Sequence, residues 1–197
     1  MSPVELPAVR ARLDVDERRR QLVELGTRLF SSRTYDDVSI DEVARNAGIS
    51  KGLLYHYFPT KRDFYVATVR EAARQLMDRT KAPEQMDSLE RLRTGLDAFL
   101  SYVAEHSVAY QGLLQSGIGV DAEVAGIIDE VRQRFCARLI EGLEVHGDLA
   151  KLALRGWVGF VEAASLGWVA SRDRVPSEAV RDMLMQVALK IVKSYST

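Results

Sequence analysis

The chain has 197 residues, 47% of them apolar, with a formal net charge of −1, so it can bury a substantial core but has no general charge bias toward nucleic acid. Its apolar runs carry too many charges to be membrane spans, the best one being broken by Glu162, and residues 1–20 lack the apolar stretch of a secretory signal. A single cysteine, Cys136, excludes an internal disulfide and fits a reducing cytoplasm, while His56, His106 and His146 lie too far apart in the chain to suggest a metal site, and no cofactor is expected.

Residues 1–14, with Pro3 and Pro7 and few periodic apolar positions, read as a flexible leader. Leu22, Leu25, Leu29 and Phe30 share one face of a helix expected over about 16–32. Ser39 then offers an N-cap with Glu42 at N3, the S-x-x-E pattern of a capping box. Val43 and Ala44 supply the inward face of a short helix over about 40–46. Gly48 stops it, being able to take a left-handed conformation without steric cost. Ile49 is an apolar plug, and Ser50 can cap a second short helix over about 51–57. Two short helices joined by a glycine-containing turn set a second helix for a DNA major groove.

Local charge agrees with that reading. From Val43 to Arg62 the charged side chains are Arg45, Lys51, Lys61 and Arg62, without an acid among them. Pro59 forbids continuation of the second helix, and Thr60 with Asp63 caps a long one expected over about 61–80.

Beyond Pro83 the pattern stays helical, and the fold class is all-α. Asp87 and Glu90 cap a helix to about 105, with Leu92, Leu96, Phe99, Leu100 and Val103 inward. A short helix follows over about 108–115, then a turn at Gly117–Gly119 and a helix over about 121–145. Asp148 is expected to cap a helix to about 171, and Ser177 another to about 195. The first of these last two is apolar nearly all round, with Gly156, Gly159, Ala163 and Gly167 at helical spacing. The second carries Leu184, Val187, Ala188 and Ile191 on one stripe. These eight residues read either as ordinary core or as a helix pair that meets its copy in a second subunit.

The run GISKGLLYHYFPTK, from Gly48 to Lys61, with Phe30, Val38-Ser39-Ile40, Ala44, Ala47 and Asp63 around it, resembles the TetR family of bacterial transcriptional regulators. The likeness is strong over about 16–66 and elsewhere rests on length and helical pattern. It implies a DNA-binding domain at 15–64 and a ligand-binding and dimerisation domain at 65–197. It further implies a homodimer whose two recognition helices enter successive major grooves of a palindromic double-stranded operator. Such proteins usually repress, and a small-molecule effector in the C-terminal part releases them.

On the recognition helix, Lys51 can donate to a base edge or phosphate, Gly52 lets the backbone approach, and Leu53 can meet a thymine methyl. Tyr55, His56 and Tyr57 can hydrogen-bond phosphates or bases, whereas Leu54 and Phe58 are expected in the core. Lys61, Ser39 and Ser50 sit at helix N-termini that suit phosphates. Arg10, Arg12 and Arg18 to Arg20 form either a minor-groove arm or a solvated charge run. For the ligand pocket the candidates are Phe99, Tyr102, His106, Tyr110, Phe135, Trp157 and Phe160, with Gln111 and Glu162 as further polar groups. The competing reading is a helical small-molecule carrier or enzyme whose helix-turn-helix is only structural. No Ser-His-Asp, metal or phosphate-loop pattern supports catalysis.

Overall fold

Helices end where the chain carries Gly, Pro or a polar cap, and the capping chemistry explains most boundaries. The computed structural model describes residues 15–115 and 121–195, and the described residues form nine helices. These are α1 (Val15–Ser31), α2 (Ile40–Ala47), α3 (Lys51–Tyr57), α4 (Lys61–Arg79), α5 (Ser88–Glu105), α6 (Ser107–Gln115), α7 (Ala122–Gly142), α8 (Asp148–Val169) and α9 (Ser177–Tyr195). The expected leader, with Arg10 and Arg12, and the Gly117–Gly119 turn lie outside the described residues.

Ser39 and Ser50 both cap as expected, their hydroxyls accepting from the backbone N–H of Glu42 at 3.2 Å and of Leu53 at 3.1 Å. Gly48 adopts φ 65°, and its N–H returns to the end of α2. Thr60 and Asp63 form a full reciprocal box at the start of α4. Three boundaries differ from the sequence reading, one of them at α9, where Ser177 is the first helical residue rather than the cap. Helix α7 stops at Gly142 because the chain turns at Glu144, which has φ 50°, so that Val145 can enter a small core with Ala150 and Leu154. Asp148 is the first residue of α8 rather than its cap, and Gly147 takes the N-cap place without a side-chain bond.

Two main cores result. The first joins α1 to α4 through Leu22, Phe30, Val38, Val43, Leu54, Phe58 and Phe64, and it also contains Val124 and Ile127 from α7. Leu54 and Phe58 are 0% and 2% exposed, each contributing roughly 1.5–3 kcal/mol by burial, which locks one face of α3 inward. Helices α1 and α4 meet at Gly26, where a Cβ would lie 2.3 Å from the Thr68 methyl and 2.6 Å from the Phe64 ring. The second core gathers α5, α8 and α9 around Leu96, Leu100, Trp157, Val161 and Leu184, with α7 packed on it through Val131 and Phe135. Helix α4 serves both, with Phe64 to Val69 in the first and Leu76 in the second.

Of the two readings of the α9 stripe, packing supports the core for Leu184 and Ala188 and leaves the other two positions open to either. Leu184 and Ala188 are fully buried in the protomer's own second core, and Val187 and Ile191 pack half-buried against it. A 3.6-residue apolar face reports burial but not the partner that provides it.

Candidate nucleic-acid interface and ligand cavity

Helix α3 turns its other face outward. Lys51, Gly52, Leu53, Tyr55 and His56 are exposed, with Leu53 at 40% and Tyr55 at 39%. Tyr57 is half-buried against the first core, its ring edge-on to His56 at 5.7 Å. A Cβ added at Gly52 would find only the Ser50 hydroxyl near it, at 4.0 Å, so nothing inside the protomer requires glycine there. Gly52 sits in the first turn of α3, where glycine is still a weaker helix former than alanine. The backbone at this spot is bare and open to the outside.

The local basic surface is smaller than a residue count suggests. Lys51 donates to Asp41 at 2.9 Å, a bond that raises its pKa. Arg62 turns away to α7, bidentate on Asp121 at 2.5 and 2.7 Å and reaching Glu123 at 3.3 Å. The Lys61 ammonium lies 4.3 Å from the centre of the half-buried Tyr35 ring, beside the α4 N-terminus. Ser39 and Ser50 remain exposed beyond their caps. In the arginine run, Arg19 lies 5.1 Å from the Phe58 ring and Arg20 pairs with Glu17 at 2.5 Å. Glu42, instead of serving the cap alone, is held low chiefly by its bond from Arg33.

Between α4, α5, α7 and α8 lies a cavity of about 590 Å³, within the ~300–1,000 Å³ usual for small-molecule sites. Of the aromatic residues anticipated, Phe99, Tyr102, Tyr110, Phe135 and Trp157 line it. Phe160 does not: it is 40% exposed, turned about 60° around α8 from the buried Trp157 toward the outside of the protomer. His106 lines a separate cleft of about 70 Å³ and rests on the Tyr102 ring at 4.3 Å, where burial lowers its pKa. Tyr102 donates to the Ala72 carbonyl at 3.1 Å, and burial pushes its hydroxyl up to about 12. The Tyr110 hydroxyl is buried without a hydrogen-bond partner. Glu162 faces the cavity paired bidentately with Arg132, at 2.8 and 2.9 Å. Cys136 packs near this region, and burial raises its thiol pKa away from the reactive thiolate.

Both halves of the chain match one family. Residues 22–68 fit the group described as bacterial regulatory proteins, tetR family, and residues 88–190 fit the tetracyclin repressor-like C-terminal domain. The chain belongs to the TetR family of transcriptional regulators. A TetR-family regulator from Streptomyces coelicolor is 34% identical, with a TM-score of 0.79, over 91% of this chain and 80% of that one. The transcriptional activator FasR of Mycolicibacterium smegmatis is 26% identical over 90% of this chain and 84% of its own length. The repressor KstR of Rhodococcus jostii is 25% identical over 84% and 79%.

In this TetR-family chain the outer face of α8 is open. Leu149 and Leu152 are 61% and 65% exposed, and Gly156, Gly159, Phe160, Ala163 and Gly167 continue the same exposed face. A Cβ at Gly156, Gly159 or Gly167 would meet nothing within 4 Å. Sequence reasoning missed Arg138, which reaches the cavity from α7, and Thr80 below it; a lone arginine on an amphipathic helix carries no signal of its own. It also missed that α7 begins inside the first core, although Val124 and Ile127 were visible as apolar.

Proposed function

We propose that this TetR-family protein works as a homodimer that reads a palindromic operator and is released by a small molecule in the central cavity, and so acts as a repressor. Residues 15–64 form the reading head in this account, and residues 65–197 the sensing and pairing part. The exposed side of α3, with Lys51, Gly52, Leu53, Tyr55 and His56, enters the major groove, while Tyr57 at its edge and Lys61, Ser39 and Ser50 at helix N-termini hold phosphates. The small-residue face of α8 supports pairing, since two such faces can approach closely and cover Leu149, Leu152 and Phe160.

One observation carries the release mechanism. Helix α7 lines the cavity with Ile128, Val131, Phe135, Arg138 and Leu139, yet its first turns place Val124 and Ile127 in the core of the reading head. Arg62, one residue into α4, is tied to Asp121 at the cap of α7. A ligand that displaces α7 therefore moves both heads of the dimer and changes the spacing of two α3 helices. Release requires that the ligand bind the DNA-incompetent arrangement more tightly, by a coupling of about 1–3 kcal/mol in typical cases.

Selecting bound duplexes from a random pool tests the first part: a palindromic consensus with half-sites about one helical turn apart is expected. A non-palindromic consensus would refute dimeric reading. Placing that operator over a promoter should lower reporter output, and activation instead would overturn the sign proposed.

A further inference from the structure

The cavity's polar groups are unevenly satisfied, and the pattern describes a ligand. At the end beneath the α4–α5 connection, Lys81, Arg91 and Arg138 line it together with Glu84 and Glu141. Among the described residues none of these three cations makes an ion pair. Arg138 donates only to neutral oxygens, the Met77 carbonyl at 3.0 Å and the Thr80 hydroxyl at 3.3 Å, leaving most of its five donors unused. Burial pulls its pKa down, against a smaller opposing pull from Asp78. A half-buried guanidinium with no carboxylate in pairing range is costly and is relieved by an anion.

The inner end is different. The Tyr110 hydroxyl is buried there without a partner, close enough to the Arg132–Glu162 pair to feel both charges. An unsatisfied buried hydroxyl costs about 1–3 kcal/mol, which a ligand group able to pair with it recovers. Tyr110 packs on Phe99, and Phe99 on Phe135, each at 6.2 Å between ring centres, so the space between the two polar ends is aromatic and aliphatic. Leu92, Leu96, Leu139 and Val158 complete that stretch. Arg138 lies six positions beyond Arg132 on α7, a rise of roughly 9 Å.

We propose that the cavity takes a linear amphipath with an anionic group at the Arg138 end, an apolar middle, and a hydroxyl or carbonyl at the far end that pairs with Tyr110. This rests on the reading of the cavity as the effector site. The anion can be a carboxylate or a phosphate, and the ammonium of Lys81 and guanidinium of Arg91 suit either. A simple hydrocarbon, or an amphipath with a plain alkyl tail, leaves the Tyr110 hydroxyl unpaired and is a poorer fit.

Calorimetric titration of the full-length protein with ω-hydroxydecanoate, decanoate, decyl phosphate and decanol tests this. Decanoate or decyl phosphate should bind about tenfold or more tighter than decanol, and which of the two binds identifies the anion. The ω-hydroxy acid should exceed decanoate by several-fold. Arg138→Gln should bring the anions down to the level of decanol, and Tyr110→Phe should erase only the advantage of the terminal hydroxyl. Unchanged melting of both variants excludes a folding defect. The inference is overturned if decanol binds as tightly as the acids, if none of the four binds, or if Arg138→Gln leaves the anion preference intact. Operator release, followed separately by fluorescence anisotropy, distinguishes the two readings: a ligand that binds as described without freeing DNA sinks the release mechanism alone.

Discussion

Val124→Ala probes the claim that α7 belongs to the reading head. Val124 is fully buried in the core formed by α1 to α4, and the change removes two buried carbon groups. At about 0.8 kcal/mol for each, the transfer loss is roughly 1.6 kcal/mol. A partly relaxed cavity adds to this, giving roughly 2 kcal/mol in all. That corresponds to about a 30-fold increase in the opening equilibrium of whatever unit contains the residue. Hydrogen exchange read by mass spectrometry, at fixed protomer concentration, shows where the loss falls. Amides of α1, α2 and α4 should lose protection together with those at the start of α7. Leu184→Ala, equally buried but in the second core, should loosen α5, α8 and α9 first. Should Val124→Ala speed exchange in α7 while the amides of α1 and α4 keep their protection, α7 is not part of the head, and the lever from cavity to DNA has no fulcrum.

Other outcomes follow from the same geometry. Gly52→Ala should leave the melting temperature unchanged or raise it, since the added methyl has open space, yet weaken operator binding about tenfold in anisotropy, the usual cost of a lost base contact. Lys61→Ala should weaken binding to specific and random duplexes alike and lower the salt slope by about one, and an unchanged slope removes Lys61 from the phosphate contacts. Gly159→Arg places a long cation on the open α8 face without an internal clash, so sedimentation velocity should report monomer at micromolar concentration; persistent dimer would move the pairing surface elsewhere. Burial lowers the pKa of His106, so the unfolded chain binds that proton more readily and stability rises with pH through the window below about 6.5. His106→Gln should flatten the stability profile below about pH 6.5 in urea titrations.

The reading head was legible because its determinants are local. Ser39, Gly48, Ser50 and the Thr60–Asp63 box each act within four residues, and the alternation of Leu54 and Phe58 with Tyr55 and His56 assigns the two faces of α3 without reference to anything distant. The rest depended on which surfaces meet. Periodicity marked α9 as apolar on one side, but only packing showed that Leu184 and Ala188 face the protomer's own α5 and α8, while α8 keeps its small residues outward. Likewise, the charge of Arg62 or Arg138 was plain from the sequence. Whether Arg62 faced DNA or Asp121, and whether Arg138 found a carboxylate or only carbonyl and hydroxyl oxygens, was set by neighbours about 60 positions away in the chain. Local sequence dictates caps and helix faces through bonds a few residues long, whereas a cavity and its unpaired groups exist only once distant helices have packed and excluded water.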